Sequence, residues 1–306
     1  METETERPDA VVGFTRIEVE GETYIRNPNG DLRRLSDRAV ALLEKLATGE
    51  LPEDDLEGTP KELVGQLREE GYLRPDEPVV RLVPPDDIRL WPRVVAFVVL
   101  FGLSLFGIWT VLPGVFSTDG IFSDPALYAP ETIGLVAVLV ALTVAIHELG
   151  HCLASKPFLD PSLRLGFVNG VLLTVVTDAT GAWMLPRNRR RWITLAGPFV
   201  EVVWLLVVLA IYVLLLPGNL VLEVTMVASV SQLLFSLNPL IHGDGYLLMI
   251  DTFDVVDLRT RGTADLRERN ASLAAGYVVL SYGFGVFVLL STLLYAADFF
   301  DLFAYF

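Results

Sequence analysis

Long apolar stretches fill most of the chain after Arg93, whereas the first 85 residues combine short apolar stripes with many charged positions. A helix needs about 20 residues to cross the roughly 30 Å hydrocarbon core of a bilayer. Five stretches have this length, at 94–115, 132–154, 192–216, 220–239 and 273–297. The pattern therefore predicts a polytopic α-helical membrane protein with about five transmembrane helices in residues 86–306.

A further apolar stretch, 162–184, is not expected to cross the membrane. A single crossing would place either Arg164 or the arginines of 187–191 on the outer side. Asn169-Gly170 is a two-residue turn signal between two apolar or β-branched stretches, 163–168 and 171–176. We therefore predict a re-entrant β-hairpin. Non-helical backbone at this depth needs cover by protein or a water-filled cavity, so the hairpin is a candidate wall of an active site.

The first 85 residues predict a separate small α+β domain with a winged-helix pattern. Gly21 separates two short strands, Ser36 and Thr59 are the predicted N-caps of two helices, and Gly71 ends the second helix. The predicted elements are two strands at 15–20 and 22–26 and two helices at 37–46 and 59–70.

The distribution of basic residues predicts the orientation in the membrane. Lys and Arg occur in 156–191 and 259–269 but not in 116–131, 217–219 or 298–306. Because basic loops stay in the cytoplasm, we expect a multi-pass cell-membrane protein with its N-terminal domain in the cytoplasm and its C-terminus outside.

Composition agrees with a membrane protein and excludes some classes of function. Hydrophobic residues make up 52% of the chain. The single cysteine excludes an intrachain disulfide and a cysteine-cluster metal site. The net charge of −15 argues against nucleic acid as a partner. Only three of the 23 basic residues are Lys, and such an acidic, Lys-poor composition is typical of a halophile. The acidic start of the chain predicts no signal peptide.

Two of the three histidines form an HExxH motif inside the second predicted span. Residues i and i+4 lie one above the other on a helix, so His147 and His151 can face one zinc ion while Glu148 reaches an attacking water. A catalytic zinc site normally has a third protein ligand. Asp244, which follows the end of the fourth span, is the candidate. Both spans run inwards, which places His147 and Asp244 in the cytoplasmic half of the membrane.

Two other polar residues near these positions have open roles. His242 could compete with Asp244 as a ligand, act as a proton donor, or form a supporting hydrogen bond. Glu201 lies within the third predicted span, where a carboxylate must pair or face water. It could form a helix–helix hydrogen bond or support a metal ligand.

An HExxH motif in one span and an NP…DG motif in a later span resemble the site-2 protease family of intramembrane zinc metalloproteases. The segments "DATGAWMLPRNRRRWITLAGPFVE" and "SLNPLIHGDGYLLMIDTF" resemble its peptide zinc metalloprotease branch. The resemblance implies that His147, His151 and Asp244 bind one zinc ion per chain and that Glu148 is the general base. It also implies that Asn238 positions or polarises the scissile peptide.

The chain departs from that pattern at two positions. His242 and the following glycine stand where relatives more often have a basic or apolar pair. Glu201 stands where many site-2 proteases have Asn.

The segments "LSDRAVALLEKL" and "LVGQLREEGYL" resemble PqqD-like domains, which grip leader peptides in peptide-modification pathways. This resemblance implies that residues 1–85 bind a leader-bearing peptide. The alternative is a winged-helix packing module without a ligand.

Together these features predict an intramembrane zinc metalloendopeptidase that hydrolyses membrane-embedded or membrane-associated peptides. One rival is a membrane metal transporter, which would need further ligands along a pathway. Another is a non-catalytic zinc-binding sensor, which would have no need of Glu148 between the ligands.

Overall fold

The computed structural model describes residues 1–112, 124–159, 161–168, 172–178, 180–255 and 258–303. The helices are α1 Asp37–Thr48, α2 Thr59–Glu69, α3 Trp91–Val111, α4 Pro130–Ser155, α5 Arg187–Leu214, α6 Leu220–Ser236, α7 Asp244–Phe253, α8 Leu258–Arg267 and α9 Leu273–Phe303. The strands are β1 Glu2–Arg7, β2 Val12–Gly13, β3 Thr15–Val19, β4 Glu22–Arg26, β5 Leu32–Leu35, β6 Arg74–Pro75, β7 Val79–Val83, β8 Ser162–Val168 and β9 Leu172–Asp178.

The N-terminal part contains a five-stranded sheet with the strand order β1-β7-β3-β4-β5. The two strands predicted around Gly21 form the β3–β4 hairpin, in which Val19 pairs with Glu22, and β3 pairs with β7 in parallel. The edge strand β1 and its partner β7 were not predicted. The alternating Glu and Thr residues of β1 lack the apolar alternation of a half-buried strand, and a charged sequence of this kind is typical of a sheet edge.

Helices α1 and α2 cover one face of this sheet with an apolar core. Its largest fully buried members include Phe14, Ile25, Leu43 and Leu67. The predicted cap of α1 is confirmed, since the Ala39 amide donates to the Ser36 hydroxyl at 3.3 Å. The predicted cap of α2 is wrong. Gly58 is its N-cap, with φ +64°, a conformation that favours glycine, and Thr59 is already helical.

The opposite face of the sheet is also buried. Ile17, Val19 and Leu82 pack with Met184, which precedes α5, and with Leu159, which follows α4. These segments belong to one compact unit, which comprises Met1–Ala96, Glu148–Arg164 and Val175–Ile193. The N-terminal sheet is therefore packed on both faces within this unit.

Among the described residues, four helices are long and apolar enough to cross a membrane by length and composition: α3, α4, α5 and the segment Leu273–Leu294 of α9. They correspond to four of the five predicted spans. The fifth, predicted at 220–239, is shorter than expected, because α6 has 17 residues. Its length is about 26 Å at 1.5 Å per residue. The helix ends before Pro239, which lacks an amide hydrogen to continue it.

The predicted hairpin is present as the two-stranded sheet β8–β9. Its predicted turn, Asn169-Gly170, lies outside the described residues. Helix α9 continues to Phe303, beyond the predicted end at 297.

The second compact unit comprises Phe97–His147, Leu165–Thr174 and Thr194–Phe306. Within it, α8 packs closely against α9. A Cβ atom on Gly262 would lie 2.2 Å from the carbonyl oxygen of Ala274. Glycine at this position therefore sets the distance between the two helices.

We expect Gly262→Ala to lower the melting temperature of the detergent-solubilised protein by several degrees, because α8 must move away from α9. Gly276→Ala is the matched control, since a Cβ there meets nothing within 4 Å. Thermal unfolding followed by circular dichroism measures both. Equal melting temperatures for the two variants would contradict close packing at Gly262.

Candidate metal centre

Helix α4 carries the two histidines of the HExxH motif one turn apart, on a face that meets polar partners. His147 and His151 are 6% and 8% exposed, so both imidazoles are buried. One turn before them, Thr143 lies on the same face and accepts a hydrogen bond from Trp204 Nε1 of α5 at 3.1 Å. Hydrogen-bonding groups of α5 also contact both histidines.

His147 lies between two carboxylates. Its Nδ1 is 2.7 Å from Oε2 of Glu201 on α5, and its Nε2 is 3.0 Å from Oδ2 of Asp244. Glu201 is fully buried, and its other oxygen has no hydrogen-bond partner among the described residues. Because the carboxylate accepts, Nδ1 of His147 donates, and Nε2 is the nitrogen on the Asp244 side.

A backbone carbonyl holds the His151 ring in the same way, through its Nδ1 atom. Its Nδ1 is 2.8 Å from the carbonyl oxygen of Ile193, near the start of α5. A carbonyl can only accept, so Nδ1 carries the proton and Nε2 is the nitrogen whose lone pair a metal ion would use. Both histidines therefore have their Nδ1 atoms fixed by acceptors, the usual arrangement of metal-binding histidines.

His147, His151 and Asp244 form a group that could hold a metal ion, with one donor atom from each within 4.8 Å of the others. Two imidazoles and one carboxylate are a ligand set for zinc that leaves a fourth position open. Tetrahedral ligands about 2.1 Å from zinc lie roughly 3.4 Å apart, close to the 3.0 Å between His147 and Asp244. The donor set is therefore one that could hold a metal ion such as zinc.

Asp244 reaches this group because the chain turns sharply between α6 and α7. Asp244 is the first residue of α7, and the Ser236 hydroxyl at the end of α6 donates to its Oδ2 at 2.6 Å. A Cβ atom on Gly245 would lie 2.1 Å from the carbonyl oxygen of Leu237. The Asp-Gly pair therefore supplies a candidate ligand and the small residue that lets α7 begin beside the end of α6.

Residues of α8 and α9 hold the turn that precedes Asp244. The Tyr277 hydroxyl donates to the carbonyl of Pro239 at 2.7 Å, and the Ser281 hydroxyl donates to the carbonyl of Leu240 at 2.6 Å. Arg259 Nη2 also donates to the carbonyl of Leu240, at 3.1 Å. Two carbonyls of the turn are thus satisfied by side chains.

The remaining predicted site residues lie around this group. Glu148 is partly buried between the two histidines on α4. Asn238 lies in the turn after α6, where its Oδ1 accepts from the Leu240 amide at 2.9 Å. This bond leaves the Nδ2 amide as the end that can donate to another group.

His242 is not a member of the three-residue donor group found among the described residues. Its ring packs on Tyr246 with 5.1 Å between the ring centroids. Partial desolvation lowers the pKa of His242 below its usual range, and the positive charge of Arg259 adds to this effect. His242 therefore favours the neutral form at pH 7.

Sequence reasoning left two roles open for Glu201, and its contact with His147 serves both. The bond joins two helices and fixes a candidate metal ligand. Sequence reasoning missed the role of Ser236, although a polar residue two positions before Asn238 could have indicated a hydrogen-bond partner for the site. It also missed the carbonyl of Ile193, because a backbone acceptor has no sequence signature.

No protein-family model, curated protein or solved structure matches the chain.

Removing the carboxylate from Glu201 tests how the site holds His147. We expect Glu201→Ala to weaken zinc binding about 10- to 100-fold, the usual effect of removing the partner of a metal-binding histidine. Glu201→Gln retains an acceptor for Nδ1 and should lose less affinity. Competition with a chromogenic chelator measures the zinc dissociation constants.

Glu223→Ala is the control for this substitution. Glu223 is another carboxylate on an apolar helix, but it bonds to Tyr212 at 2.7 Å and not to a candidate ligand. Wild-type zinc affinity in Glu201→Ala would show that the bond to His147 does not support the metal centre.

Proposed function

We propose that the protein is a zinc-dependent endopeptidase that cleaves peptides within or next to the membrane. One observation carries the proposal. His147 and His151, which lie with Glu148 on a membrane-length helix, both have Nδ1 fixed by an acceptor, and a donor atom of each lies within 4.8 Å of one from Asp244. The resemblance of the motifs to site-2 proteases supports the same reading.

Each candidate site residue has its own role in the proposed peptide hydrolysis. Zinc held by His147, His151 and Asp244 would polarise a water molecule and the scissile carbonyl. Glu148 takes a proton from the attacking water and delivers it to the leaving amine. The Asn238 amide donates to the carbonyl oxygen of the scissile peptide, where negative charge develops.

The proposed membrane arrangement has five crossings. The N-terminal sheet and the arginines at the start of α5 lie on the cytoplasmic side, and the C-terminus lies outside. The short helix α6 is the fourth crossing. It ends at the turn that carries Asp244 and so does not need the full thickness of the bilayer. This arrangement places the metal centre near the cytoplasmic surface, because His151 and His147 lie about 6 Å and about 12 Å before the end of α4.

The proposed substrates are membrane-spanning or leader-bearing peptides. A transmembrane helix satisfies its own backbone and hides its carbonyl groups, so the substrate must be extended before cleavage. The β8–β9 hairpin supplies a strand edge on which a substrate segment can extend. The N-terminal domain, residues 1–85, would bind the leader.

A metal transporter is a weaker reading of the same site. Transport needs further ligands along a pathway, and the chain has one other histidine, His242. A sensor that binds zinc without catalysis would have no use for Glu148 beside the ligands. Peptidase activity therefore distinguishes the proposed endopeptidase from the transporter and from the sensor.

We expect the purified protein to cleave fluorescently labelled casein in detergent, and Glu148→Gln to lose this activity while keeping its zinc. The zinc chelator 1,10-phenanthroline should stop cleavage, whereas its non-chelating isomer 1,7-phenanthroline should not. Gel and fluorescence assays measure cleavage, and atomic absorption measures zinc.

Equal cleavage by wild type and Glu148→Gln would contradict the proposed general base. Zinc flux into proteoliposomes without any cleavage would favour the transporter instead. Zinc binding with neither flux nor cleavage would favour the sensor.

A further inference from the structure

Helix α5 begins with a charge arrangement that opposes its own dipole. Residues 187–191 contain four arginines, and the first turn has no acidic residue. The positive end of the helix dipole lies at the N-terminus, where cations destabilise the helix and anions stabilise it. The start of α5 therefore needs negative charge and hydrogen-bond acceptors from elsewhere in the chain.

The β3–β4 hairpin of the N-terminal sheet supplies the carboxylate. Oε1 of Glu20 accepts a hydrogen bond from the backbone amide of Arg187 at 2.9 Å, and its Oε2 lies 3.3 Å from Arg187 Nε. Glu20 thus caps α5 from a distant part of the sequence, as an N-cap side chain does locally.

The shape of the hairpin turn accounts for the position of Glu20. Val19 pairs with Glu22, so Glu20 and Gly21 form a two-residue turn, with φ angles of +53° and +83°. Two positive φ angles are typical of the tight turn that joins antiparallel strands.

Two further contacts join the linker before α3 to the same helix start. Asn188 Nδ2 donates to Oδ2 of Asp87 at 2.8 Å, and Arg189 Nε donates to the carbonyl of Asp86. The apolar contact of Ile17 and Val19 with Met184 lies just before the helix. The N-terminal sheet therefore contacts the start of α5 through charge, hydrogen bonds and apolar packing.

The start of α5 in turn orients a candidate zinc ligand. Ile193 lies six residues after Arg187, and its carbonyl accepts from His151 Nδ1 at 2.8 Å. A shift or fraying of the first turns would move this carbonyl and release the imidazole from its orientation. All of these residues belong to one compact unit.

We infer that the N-terminal sheet is a supporting part of the metal centre, and that Glu20 is a positioning residue that acts on His151 through the start of α5. This role is separate from binding a leader peptide. It rests on the proposed function in one respect, namely that His151 binds zinc.

The test compares zinc affinity in full-length variants. We expect Glu20→Ala to weaken zinc binding about two- to fivefold, as follows from the strength of a carboxylate at a helix N-terminus. Glu20→Gln retains an acceptor for the Arg187 amide and should recover part of the affinity. Chelator competition gives the dissociation constants, and the visible spectrum of the cobalt-substituted protein reports ligand geometry.

Glu22→Ala is the matched control, because Glu22 lies on the same hairpin and has the same charge but contacts Tyr24 and Arg34. It should bind zinc as wild type does. Equal zinc affinity and equal cobalt spectra for Glu20→Ala and Glu22→Ala would overturn the inference while leaving the proposed metal centre intact.

A second measurement needs no variant. Coupling is reciprocal, so zinc should stabilise the contact that supports its ligand. We expect zinc to slow amide hydrogen exchange in the β3–β4 hairpin and in the first two turns of α5. Unchanged exchange in both segments of a zinc-loaded protein would overturn the inference. A wild-type protein that binds no zinc would overturn the metal centre, and this inference with it.

Discussion

The hydrogen bond between Glu201 and His147 is the interaction on which the rest of this site depends. A fully buried carboxylate on a membrane-length helix is costly unless it is paired, and Glu201 accepts a hydrogen bond from Nδ1 of His147. The bond fixes the tautomer and the direction of the imidazole. It also joins α4 to α5 next to the candidate ligands. The packing of these two helices and the geometry of the site therefore both require this contact.

The other two candidate ligands depend on helix ends. Asp244 is placed by the end of α6, where Gly245 permits an approach that any side chain would block. His151 is placed by the start of α5, through the carbonyl of Ile193. Helix ends offer unsatisfied backbone groups, and in this protein those groups are bound by side chains from distant segments, such as Glu20 and Tyr277. A site built this way requires several parts of the chain to fold together.

The sequence predicted the donor group and missed most of what holds it. The i,i+4 spacing of His147 and His151 and their shared depth with Asp244 were sufficient to group the three. The sequence predicted α6 to reach residue 239, because its apolar pattern continues that far. The helix ends at Ser236, shortly before Pro239. Strand β1 has no apolar alternation, and it became recognisable only through its pairing with β7. Arg259 donates to the carbonyl of Leu240, and His151 donates to the carbonyl of Ile193. Contacts to backbone carbonyls leave no pattern in the sequence and so could not be predicted.

Metal content per chain is the most direct test of the central claim that three side chains form a zinc site. Purified wild-type protein and the variants His147→Ala, Asp244→Ala and His242→Ala are compared in the same detergent, with circular dichroism to confirm folding. We predict about one zinc ion per chain in wild type and His242→Ala, and its loss from the other two variants. Folded wild-type protein without zinc, or zinc that survives Asp244→Ala, would contradict the account.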